Sequence, residues 1–279
     1  MKDKRKNMPG DLRETRALLV DDSRIHLHIL SEMLRRKHVR TRLCRNGREA
    51  LTLMCQEKYD LIFLDDRMPG MSGAETLHLA VAMEGNRNLC TPVIAATATG
   101  QEGARERYLE LGFSDYLPKP IHRDALASLL ARFLPGEEAL PSQEEQAQSR
   151  RERQMKPEEM LVDVQAGIAI CDGEADLYYV IASMFAGEYK EKSEQIQAYY
   201  DAGDWRGYCV YVHALGSTAL QAGCIGLSEQ AKQMEALVGT LQKNPEKAGE
   251  ILSRIREAHG PLMALYARAA EAAGALQRP

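Results

Sequence analysis

The sequence predicts two units of different class, an α/β domain built on a parallel sheet and then an all-helical bundle. Three observations carry this reading. Up to residue 133, short apolar runs alternate with helix-length amphipathic stretches, the spacing of β–α units with helices on both faces of a sheet. Beyond residue 160 the strand-like runs disappear and long helical patterns take over. Between them, residues 137–157 are rich in Glu, Gln, Ser and Arg and nearly free of large apolar side chains, as in a solvated linker. A chain of 279 residues has room for two domains of ordinary size. The boundaries are drawn as a tail at 1–13, the α/β domain at 14–136, a linker at 137–160 and the helical domain at 161–275.

The first strand is the apolar run Ala17-Leu18-Leu19-Val20, ending at two aspartates. Ser23 then caps a helix that places Ile25, Ile29, Leu30, Met33 and Leu34 on one face. Val39, Thr41 and Leu43 alternate as a second strand, closed by Asn46-Gly47. A helix through Ala50, Leu51 and Met54 leads to the strand Leu61-Ile62-Phe63-Leu64, which again ends at aspartates. A helix at about 74–83, the strand Val93-Ile94-Ala95-Ala96, a helix at about 101–111, a short strand at Tyr116-Leu117 and a helix at 121–133 complete five β–α units. In the second half the periodicity predicts four antiparallel helices at roughly 174–200, 204–222, 225–241 and 246–274, a four-helix bundle.

Composition excludes several classes. The net charge of −4 offers no basic excess for nucleic acid or an anionic membrane. No apolar run approaches the ~18 residues of a membrane helix, and residues 1–16 lack a signal-peptide core. A cytoplasmic location is expected, unless the chain belongs to a larger membrane protein. The six cysteines (Cys44, Cys55, Cys90, Cys171, Cys209 and Cys224) show no metal-type spacing and read as small buried hydrophobes. His26 and His28 lie two apart on different faces of a helix, and no structural metal is expected.

Ligands of an open parallel sheet collect beyond the carboxyl ends of its strands. The residues there are Asp21 and Asp22 after the first strand, Asp65 after the third, Thr97 after the fourth and Lys119 after the fifth. An Asp-Asp pair at a strand end caps a helix as readily as it binds a metal. Three converging carboxylates, however, repel one another unless a hard divalent cation lies among them. A carboxylate can attack a phosphoryl group while the cation and a lysine neutralise charge on its oxygens and a hydroxyl donates to a third.

The stretches LLVDD, DLIFLDDRMPGMSG, PVIAATA and DYLPKP resemble the response-regulator receiver family over residues 14–136. The resemblance implies a flavodoxin-like (βα)5 doubly wound fold and phosphorylation of Asp65, three before Met68-Pro69, by a phosphohistidine donor such as a sensor histidine kinase. It implies Mg²⁺ held by Asp21, Asp22, Asp65 and the backbone carbonyl of Arg67, with Asp66 a bystander. It further implies Lys119 as the phosphate-binding lysine, with the bond to Pro120 often cis, and Thr97 and Tyr116 as a switch pair. Arg67 and Thr99, two beyond Asp65 and two beyond Thr97, either flank the attacking water or form a solvated surface pair.

In the helical half, Tyr208, Tyr211, Val212, Leu215, Ala219 and Ala222 form the core-facing stripe of one helix. His213 falls off that stripe, beside Arg206, Cys209, Gly216, Ser217 and Leu220, and is expected to be exposed. An exposed neutral imidazole can accept a phosphoryl group. His213, Leu215, Gly223, Leu227, the Met234-Glu235 pair and the Asp204-Trp205 opening resemble the histidine phosphotransfer family over roughly residues 161–275. That implies His213 as a second phosphoryl carrier, working with other receiver or phosphotransfer proteins. One departure is Gly216, where the family usually has lysine. No glycine-rich nucleotide motif is present, so no kinase domain is expected. The competing readings are a receiver-controlled interaction module whose helical half transfers nothing, and a C-terminal fragment of a hybrid sensor histidine kinase.

Overall fold

The computed structural model describes residues 15–97, 103–134 and 161–277. The expected tail, the whole of the expected linker and Thr99 lie outside them. The first half consists of β1 (Arg16–Val20), α1 (Arg24–Arg35), β2 (Arg40–Cys44), α2 (Gly47–Gln56) and β3 (Leu61–Leu64). It continues through α3 (Gly73–Ala82), β4 (Val93–Thr97), α4 (Ala104–Glu110), β5 (Asp115–Pro118) and α5 (Arg123–Phe133). All strand pairings are parallel, in the order β2-β1-β3-β4-β5.

Alternation along the strands divides two cores. Ala17, Leu19, Phe63, Ile94 and Ala96 join α1 and α5 on one face of the sheet. Leu18, Val20, Ile62, Leu64 and Ala95 join α2, α3 and α4 on the other. Burial on both faces is why these strands read as continuous apolar runs. β2 departs from its expected alternation, since Leu43 is exposed and Thr41 half-buried. It is an edge strand, so side chains on it are covered from one side only.

Side-chain caps fix the helix starts, at Ser23 as expected and at two further positions. The Ser23 hydroxyl accepts from His26 N–H at the start of α1, and the Asn46 side chain accepts from Glu49 N–H at the start of α2. At α3, Ser72 and Glu75 form a reciprocal capping box, which satisfies two amide donors of the first turn.

The helical half holds α6 (Val164–Ile170), α7 (Ala175–Asp201), α8 (Trp205–Gln221), α9 (Ile225–Lys243) and α10 (Ala248–Gly274). The four long helices match the sequence pattern, but the bundle has five helices rather than four. The missed helix, α6, is only seven residues long and has no charged side chain to reveal its period. The Asp163 side chain caps it by accepting from Ala166 N–H at 2.9 Å. Asp163 N–H in turn donates to Gly223 O at 2.8 Å, pinning α6 to the α8–α9 turn. Gly223 has φ +77°, and a Cβ there would lie 2.4 Å from Asp163 O, so both backbone freedom and close approach require glycine. The five helices enclose Tyr178, Phe185, Val212, Ala231, Val238, Ile255 and Tyr266.

All six cysteines are free. Cys44, Cys171 and Cys224 are buried as expected, Cys55 and Cys209 are half-buried, and Cys90 is exposed in the α3–β4 connection. No helix among the described residues is long and apolar enough to cross a membrane.

Candidate functional site

Strand register assembles the site. Val20 lies opposite Leu64, so Asp21 and Asp65 leave neighbouring strands at the same level. Thr97 lies opposite Pro118, which brings Lys119 in one step further along. Oxygens of Asp21, Asp22 and Asp65 come within 4.8 Å of one another, and all three residues are buried. Lys119 Nζ donates to Asp21 Oδ2 and lies 3.2 Å from Asp65 Oδ2. Its peptide bond to Pro120 is cis.

The electrostatics follow from burial and neighbours. Burial works against charge on Asp21, but Lys119 and His26 override it and hold this carboxyl well below the usual carboxylate range. Burial, reinforced by the Asp21 charge, pushes Asp22 up to about 6. Burial likewise raises Asp65, against the pull of Lys119. Lys119 is driven the other way: burial disfavours its charge, yet Asp21 and Asp65 raise its pKa and keep it an ammonium. Three hard oxygen donors in a buried acid cluster suit a divalent cation of the Mg²⁺ or Ca²⁺ type. Thr97 is fully buried, and its Oγ1 has no hydrogen-bond partner among the described residues. A donor at the mouth of an acid cluster is thus left for an incoming acceptor.

The structure adds a residue that sequence reasoning missed. His26, in the first turn of α1, is buried with Nδ1 3.3 Å from Asp21 Oδ1 and 3.1 Å from Lys119 Nζ. The signal was its position four residues beyond the acid pair, in the first turn of the helix that Ser23 caps. Asp66 is outside the acid cluster but is not idle. Its carboxylate accepts from Ala74 N–H at 3.0 Å and from the Tyr108 hydroxyl at 3.2 Å, which fixes α3 and α4 around the Asp65 loop. Tyr116 is half-buried and stacked on Tyr108, with ring centroids 5.5 Å apart.

His213 is not exposed as expected; its side chain retains 13% exposure. Side chains from both halves cover it. Arg67, two residues beyond Asp65, reaches across to Glu235 and stands 3.1 Å from His213 Nδ1. Glu235 Oε2 lies 2.8 Å from the same nitrogen. A carboxylate can only accept, so a proton on Nδ1 serves Glu235, and Arg67 pairs with the other carboxylate oxygen. Burial works against charge on Glu235, but His213 and Arg67 hold it down at about 2. The Arg67 backbone N–H is 3.5 Å from Asp65 Oδ1, so one residue touches both predicted phosphoryl sites.

Residues 17–131 match the family model of the response regulator receiver domain. The first half is a receiver domain. It is fused to a helical bundle that resembles a histidine phosphotransfer domain. The chain is similar to the sensor histidine kinase GacS of Pseudomonas protegens, 28% identical over 253 residues, which cover 90% of this chain and 27% of that protein. It is also similar to the signal transduction histidine-protein kinase BarA of Shigella flexneri, 37% identical over 119 residues, covering 43% of this chain and 13% of that one. The chain therefore spans about a quarter or less of the length of these relatives. Among solved structures it is similar to the receiver domain of a sensor histidine kinase from Pseudomonas aeruginosa with magnesium in the active-site cleft. The identity is 34% and the TM-score 0.38, covering 43% of this chain and 96% of that one.

Proposed function

We propose that the chain is a two-site phosphoryl carrier in a two-component phosphorelay. Asp65 is the acceptor in the receiver and His213 the second carrier in the helical domain. The observation that supports it best is the pairing of the two sites through Arg67, whose amide faces Asp65 while its guanidinium meets the His213–Glu235 pair.

Asp21, Asp22, Asp65 and the Arg67 carbonyl would hold Mg²⁺, which would supply positive charge to the oxygens of a phosphoryl group. A carboxylate oxygen of Asp65 attacks the phosphorus of a donor's phosphohistidine. The P–N bond breaks, an acyl phosphate forms, and the leaving imidazole takes a proton from solvent. Lys119, already 3.2 Å from Asp65, counters charge on the transferred group. The Thr97 hydroxyl donates to another of its oxygens, and Tyr116 follows that movement as the switch residue. Glu235 holds the proton of His213 on Nδ1, leaving Nε2 with its lone pair as the nucleophile. Transfer between the two sites exchanges the P–O bond at Asp65 for a P–N bond at His213.

The likeness to GacS over 90% of the chain supports both domains acting as a unit with a sensor kinase, as the terminal part of a hybrid kinase or alongside one. A second reading, a receiver whose helical partner only docks, is favoured by Gly216. It sits where a lysine would be expected and faces α9, where a Cβ would lie 3.4 Å from Ala231.

Phosphoryl labelling separates the readings. The full chain, Asp65→Asn and His213→Gln are incubated with Mg²⁺ and either a small-molecule phosphodonor or phosphorylated partner proteins. Base-labile label lost in Asp65→Asn and acid-labile label lost in His213→Gln are expected. Absence of the first from every donor sinks the receiver assignment, and absence of the second alone makes the helical half a docking module.

A further inference from the structure

The acid cluster receives a side chain from the other domain. Lys192, on α7, extends its ammonium to 3.5 Å from Asp22 Oδ2, 170 residues away in sequence. The side chain is 14% exposed and passes 5.3 Å above the Tyr211 ring, so the ammonium is largely out of water. Of the three acids, Asp21 and Asp65 share Lys119, and Asp22 is the one left to Lys192. A buried ammonium needs a partner, as does a buried carboxylate, and each supplies the other.

From this we infer that Lys192 is a tethered cation of the acid site, and that it competes with a free divalent cation for Asp22. The proposal rests on reading the acid cluster as a cation site. Charge balance supports competition. Three ionised carboxylates and Lys119 leave two negative charges, which a divalent ion neutralises. With Lys192 also present, the buried site would carry a net positive charge, and the two cations would repel at short range. Lys192 has somewhere else to go: Glu188 lies one turn back on α7, bridged to Arg24 at 3.9 Å. By linkage, whatever docking of the helical domain takes from cation affinity, cation binding takes from docking. The helical domain is thereby a cation-sensitive cover over the acceptor aspartate.

The test is calorimetric titration of Mg²⁺ into the full chain, Lys192→Met and Lys192→Arg, with circular dichroism checking that each folds. Lys192→Met is expected to bind Mg²⁺ about tenfold more tightly than wild type, within the usual range of coupling between sites. Lys192→Arg, which keeps the charge, is expected to stay within about twofold. Docking is read separately by energy transfer from Trp205, the single tryptophan, to a dansyl group on exposed Cys90. Transfer is expected to fall as Mg²⁺ is added to wild type. Equal affinity in all three proteins overturns the competition, and transfer that does not fall overturns the cation-sensitive cover. If none of the proteins binds Mg²⁺, the cation site beneath the proposal falls with it.

Discussion

Replacing Asp22 with asparagine in cation-free protein is expected to stabilise the receiver domain, and the size of the effect follows from the site. The Asp22 carboxyl, ordinarily near 3.8, is pushed to about 6 by burial and by the adjacent Asp21 charge. That rise of about two pH units corresponds to roughly 3 kcal/mol, at about 1.4 kcal/mol each. An acid whose pKa is higher in the folded state binds its proton more tightly there. Its contribution to stability is therefore greatest below about pH 4 and is lost as pH rises to about 6, with no further change above. At neutral pH the folded wild type bears the whole penalty. Asparagine removes it but deprives Lys192 of a charged partner, so the net gain is about 1–3 kcal/mol. In a domain of this size each kcal/mol is worth about 4 °C in Tm. Scanning calorimetry with chelator at about pH 7 and about pH 4.5 reads the gain at the two ends of this window. The gain should be present at the first and mostly gone at the second, and added Mg²⁺ should raise the Tm of wild type more than that of the variant. An asparagine variant no more stable than wild type at neutral pH, or a gain identical at both, would refute the assignment of Asp22 as the strained acid.

Three further outcomes follow from the same geometry. At Gly73, a Cβ would stand 2.4 Å from Asp65 O and 2.8 Å from Asp66 Cα, both backbone atoms that cannot turn aside. Gly73→Ala is expected to destabilise the receiver by about 1–3 kcal/mol in urea unfolding and to slow labelling of Asp65. Lys119→Met is expected to lower Asp65 labelling by a small-molecule donor roughly hundredfold, while calorimetry shows Mg²⁺ affinity undiminished, because only an ammonium is lost from the acids. Glu235→Gln exchanges a charge-assisted bond to His213 for a neutral one and is expected to slow phosphoryl entry at His213 about tenfold, read by acid-labile label.

What could be read in the sequence divides by distance along the chain. Asp21, Asp22, Asp65, Thr97 and Lys119 were legible because each directly follows, or in the case of Thr97 ends, an apolar strand, and parallel register then brings strand ends together without further information. The long helices were legible by their period, while α6, short and without a charged side chain, did not show one. Periodicity assigns His26 a helix face but not the acid beneath that face. Lys192 carries no local signal at all; it is a lysine in a polar stretch of α7 until the two domains are placed together. The small neighbours of His213 off the core stripe predict exposure, but Glu235 of the same bundle and Arg67 of the other domain both close on its ring, contacts that helix periodicity does not carry.

The charges between the domains have a pattern that bears on release. The receiver contributes Arg24, Arg36, Arg67 and Arg123, and the helical domain answers with Glu188, Glu174, Glu235 and Asp172. Arg36 and Arg123 both grip Glu174, at 2.7 and 2.5 Å, yet these side chains remain 31–44% exposed. Partly exposed ion pairs of this kind each contribute little and are screened by salt, so they orient the domains more than they bind them. Lys192 with Asp22 runs in the opposite sense and is the most buried of the arginine- or lysine-to-acid pairs between the domains among the described residues. An interface held by partly exposed pairs of one polarity, with its most buried reversed contact on one acid of the three-aspartate cluster, ties the placement of the helical domain to the charge at that cluster. Under the proposed relay function that coupling has a use, because a group passed to Asp65 or His213 serves only if each site can be uncovered for its next partner.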